Sequence, residues 1–179
     1  MPAATQEISE ALIRHNINRA VCDVFKTMLH RTASLGAAYT SGGADPLPVG
    51  VHGDQLAMNP QVVGTVGFLG EANGLIYLYF DGGFARHCTG HLLGMSDAEV
   101  DEAGDEVVND AIGEITNMTV GSFKNGLSDQ GFPCKLTIPS ILRGRNFCVE
   151  PISDSQRFIY VFETEGQRLI ADILLKCGE

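Results

Sequence analysis

Residues 107–125 read VVNDAIGEITNMTVGSFKN. At about 100° per residue, Asp110, Glu114, Asn117 and Gly121 recur at i, i+4, i+7 and i+11 and share one stripe roughly 60° wide. Val108, Ala111, Ile112, Ile115, Met118, Thr119 and Ser122 gather opposite, and this mostly apolar stripe predicts a helix with that side against a core. Glu114 and Asn117 then lie on one outward ridge, a turn apart. Gly113 and Gly121 flank the ridge without a side chain. Each costs up to about 1 kcal/mol of helix stability relative to alanine, so close approach of something to the helix is expected there. A polar stripe on an amphipathic helix is most often only its wet face, and the pattern by itself goes no further.

Upstream of this helix, Ser96 is placed to cap a helical segment, with Asp97 and Glu99 in its first turn. One long helix to about Asn125 is expected, with a break at Gly104 as the alternative. Gly82–Leu93 reads as another helix. Gln61–Leu69 and Gly74–Phe80 are runs of β formers around Gly70-Glu71-Ala72-Asn73-Gly74, and Asn-Gly there predicts a hairpin turn. Glu7 to about Arg31 has helical periodicity. Residues 32–60 read as an irregular loop, small and Gly-rich, with a short strand in Val49–Leu56. Downstream, Phe132–Ile138, Arg145–Ile152, Phe158–Thr164 and Leu169–Leu175 read as strands. The order predicts a single domain over residues 1–179 of the α+β class, a mixed α/β sandwich with helices covering one face of a largely antiparallel sheet. Gly74–Phe80 echoes Phe158–Phe162, as two pseudo-twofold halves would.

With 179 residues, 44% of them hydrophobic, the chain can bury one sizeable core. The formal charge of −10 disfavours nucleic acid and anionic membranes as partners. Five cysteines without a C-x-x-C pair argue for reduced thiols. Met1–Glu10 lacks the features of a signal peptide, and no apolar run is long enough to span a bilayer. A cytoplasmic protein is the expectation.

The run Asp110-Ala111-Ile112-Gly113-Glu114-Ile115-Thr116-Asn117-Met118-Thr119-Val120-Gly121 closely resembles the signature of the CheC/CheX chemotaxis phosphatases, an acidic residue or Ser before E-x-x-N and a proline further on. Pro139 stands 22 positions after Asn117. Gly67-Phe68-Leu69-Gly70 with Gly74-Leu75-Ile76-Tyr77, and Gly144-Arg145, extend the likeness over roughly residues 61–150. The resemblance implies a CheC-like fold and hydrolysis of the phospho-aspartate of a CheY-like response regulator. It implies that Asn117 orients the attacking water, that Glu114 pairs with a lysine of the regulator, and that Asp110 and Pro139 support the motif helix. Mg²⁺ would belong to the regulator, and the chain would need no metal or cofactor of its own. Three residues before Asn16 and Asn18 stand Ile13 and His15, not Glu, so one site per chain is expected, as in the CheX branch. That branch also implies a homodimer.

Other features are weaker. His87 and His91, at i and i+4, have a spacing that can bind zinc but no third ligand in view. Gly67, Gly70 and Gly74 fit hairpin turns better than a phosphate loop. Lys124, Arg143 and Arg145 read as solvated, and Cys134 and Cys148 as core. The competing functions are a non-catalytic module that docks on a regulator or sits in a flagellar switch, and a scaffold that merely dimerises.

Overall fold

The computed structural model describes residues 7–40, 60–145, 147, 149 and 154–176. Helix α1 spans Glu10–Met28 and is capped by the Ser9 side chain, which accepts from the Leu12 N–H at 3.2 Å. Strand β1 (Ser34–Thr40) follows, then β2 (Gln61–Gly70) and β3 (Asn73–Asp81). Three helices come next: α2 (Gly82–Leu93), α3 (Asp97–Ala103) and α4 (Asp105–Asp129). The chain ends in β4 (Cys134–Leu136), β5 (Ser140–Gly144), β6 (Ser155–Thr164) and β7 (Gln167–Lys176). The sheet order is β1-β6-β7-β3-β2, with β4 and β5 both pairing β2 on its other side, and every pairing is antiparallel.

Alternation along the strands sorts the two faces. Val62, Val66, Phe68, Ile76, Leu78 and Phe80 join the large core beneath the helices. Val63, Tyr79, Ile159, Val161 and Ile170 form a smaller cluster on the opposite face, with Phe147 and Val149 packed against it. On that face Arg157 holds Asp172 through two bonds, Nε to Oδ1 at 2.9 Å and Nη2 to Oδ2 at 2.8 Å, and both side chains are buried. Burial pushes the Asp172 carboxyl up from its ordinary value, against the pull of Arg157. Among the described residues no helix is long and apolar enough to cross a membrane.

Several expectations are corrected. Residues 34–40 are not loop: Ser-Leu-Gly-Ala-Ala-Tyr-Thr pairs with β6, and that ladder supplies the order its weak strand propensity does not. The strand expected in Val49–Leu56 lies outside the described residues. Asn73-Gly74 is not the hairpin turn. Both belong to β3, Glu71-Ala72 makes the turn, and the Asn73 side chain clamps it, accepting from Gly70 N and donating to Gly70 O at 3.1 Å each. The long helix is broken at Gly104, whose φ of +85° suits a residue without a Cβ. Ser96 caps α3 in a full capping box with Glu99. The strand of 132–138 shrinks to Cys134–Leu136. The next strand lies at Ser140–Gly144, ahead of the expected 145–152, a range that falls largely outside the described residues.

The His87–His91 pair is held by a different cation. Arg31, buried at the end of α1, contacts Nε2 of both rings and also pairs with Glu165 at the β6–β7 turn. A guanidinium thus fills the place a metal would need. Among the described residues no group of three or more His, Cys, Asp or Glu could hold a metal ion.

Candidate functional site on α4

Helix α4 is held on three sides. Val108, Ile112, Ile115, Thr116, Thr119, Val120, Phe123 and Leu127 are buried among α1, α2 and the sheet. Met118 and Ser122, assigned to the core from the pattern, are only half-buried, while Thr116 and Val120 go inside. The burial arc is broader than one stripe because two helices and β2 pack on α4 together.

Close contacts fix the helix axially. A Cβ on Gly64 of β2 would lie 2.8 Å from Thr116 Cβ, so only glycine lets helix and strand approach there. Thr116 turns its hydroxyl back to the Ile112 carbonyl at 2.7 Å. Phe123 meets Phe68 edge-on, centroids 5.8 Å apart. At the other end, Gly126 faces Asn16 of α1, whose Cγ would lie 2.6 Å from an added Cβ. Arg143 of β5 grips the first turns of α4, with Nε on Asn109 Oδ1, Nη2 on the Asp105 carbonyl at 3.2 Å and Nη1 beside the Asp105 carboxylate at 3.2 Å. The sequence offered a signal for Gly64, a glycine inside a strand. It offered none for Arg143, read there as solvated.

On this braced helix Asp110 and Glu114 are exposed and Asn117 and Gly121 half-buried, so the four expected residues do share one accessible ridge. Gly113 is buried instead, facing Ile141 Cδ1 of β5 at 3.9 Å from where its Cβ would be. Gly121 stands in the same relation to Leu136 Cδ1 of β4, also at 3.9 Å. These are ordinary contact distances, so neither glycine is required by the chain's own packing. Leu136 lies beside Gly121 and Ile141 beside Gly113. The segment between them, with half-buried Pro139, therefore runs alongside the turn of α4 that carries Asn117. Pro139 interrupts the edge ladder between β4 and β5, where a missing N–H does no harm.

Among the described residues neither Glu114 nor Asn117 has a side-chain hydrogen bond or ion pair within the chain. A carboxylate and a carboxamide are thus presented by a rigid element, open to a partner. The carboxamide offers both a donor and an acceptor. Cys134 is buried beside this region, and burial raises its thiol pKa, so it fits core better than nucleophile.

The fold is that of solved chemotaxis proteins. A CheX from Desulfovibrio desulfuricans superposes with a TM-score of 0.71 at 23% identity, over 91% of this chain and 98% of that one. A CheC-like superfamily protein from Shewanella gives 0.74 at 22% identity, over 93% and 99%. A chain of the CheX–CheY–BeF3–Mg²⁺ complex from Borrelia burgdorferi gives 0.68 at 20% identity, over 92% and 97%. No curated protein sequence matches the chain. The model of the family described as chemotaxis phosphatase CheX matches residues 62–163, which take in the hairpin, the whole of α4 and the edge segment with Pro139. The chain belongs to the CheX family of chemotaxis phosphatases.

Proposed function

We propose that the chain hydrolyses the aspartyl phosphate of a CheY-like response regulator, with Asn117 as the catalytic residue and Glu114 as the docking carboxylate. The observation that carries this reading is the ridge itself: two uncommitted polar side chains, one turn apart, on a helix immobilised from behind. It is supported by family membership and by a related CheX having been solved together with CheY, BeF3 and Mg²⁺.

In this reading α4 lies against the mouth of the regulator's site. The Asn117 amide accepts from a water and directs its oxygen in line with the acyl phosphate. The water oxygen bonds to phosphorus, the phosphorus–acyl oxygen bond breaks, and the aspartate carboxylate and inorganic phosphate are released. Positioning accounts for most of such an acceleration, so one fixed amide suffices. Glu114 pairs with a lysine of the regulator and sets the angle of docking. Asp110 adds charge one turn earlier. Gly121 leaves room beside Asn117, Gly113 lies behind the ridge against β5, and Pro139 keeps the edge segment out of the ladder. Mg²⁺ belongs to the regulator, and the chain brings no cofactor. The setting is the cytoplasm. The chain is a homodimer joined through a sheet edge, such as β1, which pairs only β6 among the described residues.

The test is phosphate release from a phosphorylated CheY-like regulator. Wild-type chain is expected to accelerate it, and Glu114→Ala to raise KM. Tight binding by the wild type with no acceleration would replace this reading with that of a non-catalytic docking module.

A further inference from the structure

Ile138 is 87% exposed, against 40–60% for Leu69, Leu75, Leu93 and Leu142, the other exposed large hydrophobic residues. Scattered half-exposed leucines are normal on a protein surface. An isoleucine almost wholly in water, on a braced piece of backbone, is a different observation. Thr137 on its N-terminal side is locked to β2. Its N–H donates to the Gly67 carbonyl at 2.8 Å, and its hydroxyl accepts from Gly67 N at 2.8 Å. Ladder pairing resumes at Ser140, opposite Thr65. Between these fixed points Ile138 and Pro139 together oppose the single residue Val66, which defines a β-bulge. Bulges re-aim side chains, and they concentrate beside active sites.

The direction of the re-aiming can be read from the neighbours. Leu136 and Ile141 lie on the helix side of the sheet, against Gly121 and Gly113. Thr137 lies on the opposite side, its Cγ2 3.1 Å from where a Gly67 Cβ would be. Alternation puts Ile138 back on the helix side, level with the turn of α4 between Gly113 and Gly121. That turn carries Glu114 and Asn117. Together they form a ridge of carboxylate and amide with one aliphatic knob at its flank.

We propose that Ile138 is an apolar anchor of the docking surface, inserted between aliphatic side chains at the rim of the regulator's phosphorylation site. It contributes affinity and takes no part in the chemistry. The proposal rests on the reading of Glu114 and Asn117 given above. The bulge makes the anchor effective, because backbone pinned at Thr137 and Ser140 has little freedom left to lose on binding.

The experiment compares Ile138→Ala, Ile138→Asp and Ile138→Met with Leu69→Asp, an exposed leucine of the opposite face, and with Asn117→Ala. Each is assayed for turnover of the phosphorylated regulator and for affinity to the regulator activated with beryllofluoride. Ile138→Ala should raise KM and Kd about tenfold and Ile138→Asp more, with kcat within twofold of wild type. Ile138→Met should restore most of the affinity, and Leu69→Asp should change neither constant. All the Ile138 variants should melt with the wild type, since the side chain contacts little of its own chain. Unchanged KM and Kd in Ile138→Ala and Ile138→Asp, while Asn117→Ala loses turnover, would overturn the anchor and leave the phosphatase reading intact. Undiminished turnover in Asn117→Ala would overturn the phosphatase reading and the anchor with it.

Discussion

Four glycines around α4 should respond to alanine with opposite signs. At Gly113 and Gly121 the added methyl meets one atom each, Ile141 Cδ1 and Leu136 Cδ1, both at 3.9 Å. Nothing has to move, so the helix propensity difference of about 1 kcal/mol is available as a gain. For a chain of this size that raises the melting temperature by about 2–4 °C. At Gly64 the methyl would lie 2.8 Å from Thr116 Cβ, and at Gly126 it would lie 2.6 Å from Asn16 Cγ. Thr116 and Asn16 are both buried, and Thr116 is tied to Ile112 by its hydroxyl. Relief requires an off-rotamer side chain or a shift of helix against strand, at a cost of about 1–3 kcal/mol. Thermal denaturation followed by circular dichroism reads all four. Gly113→Ala and Gly121→Ala should melt above the wild type, and Gly64→Ala and Gly126→Ala below it. A Gly113→Ala or Gly121→Ala protein that melts several degrees low, or a neutral Gly64→Ala, would refute the packing of α4 described above. If Gly121 serves a docking partner, Gly121→Ala will also be more stable yet bind the regulator less well.

Arg157→Met strands the buried Asp172 carboxylate and should cost about 3–5 kcal/mol in urea unfolding, most of it recovered by Asp172→Leu in the same chain. A single variant as stable as the wild type would contradict the buried pair. His91 is held below its ordinary pKa of 6.5, first by burial and then by Arg31 and His87. As pH falls below 6.5, the unfolded chain takes up the proton before the folded one does. Stability present above that pH is therefore lost as pH drops toward the folded value. His91→Gln should flatten the fall in melting temperature between pH 7.5 and 5.5, and an unaltered slope would dismiss His91 as its source.

Most of what sequence could reveal came from periodicity. The stripe of Asp110, Glu114, Asn117 and Gly121 followed from helical geometry, and α2, β6 and β7 from patterned apolar runs. What periodicity could not show was long-range. Strand β1 is mostly small residues, with Leu35 and Tyr39 among them, and exists because β6 supplies its partner. The bulge at Ile138-Pro139 depends on a count of residues against β2, visible only once Thr137 and Ser140 are registered to Gly67 and Thr65. Arg143 read as a solvated charge because its partners, Asn109 and Asp105, are far away in sequence, and nothing local marked Arg31 as the partner of His87, His91 and Glu165. The hairpin was placed correctly but its turn was misread, because Asn73 acts through its side chain and not through a left-handed backbone.

The most direct measurement is a comparison of binding and turnover in Asn117→Ala. Asn117 is half-buried on a helix whose packing lies on its other side, so truncation should leave the fold and the docking ridge intact. The variant should bind the beryllofluoride-activated regulator within a few-fold of wild type, while its acceleration of phosphate release falls by about two orders of magnitude or more. An Asn117→Ala chain that releases phosphate as fast as the wild type would contradict the central claim.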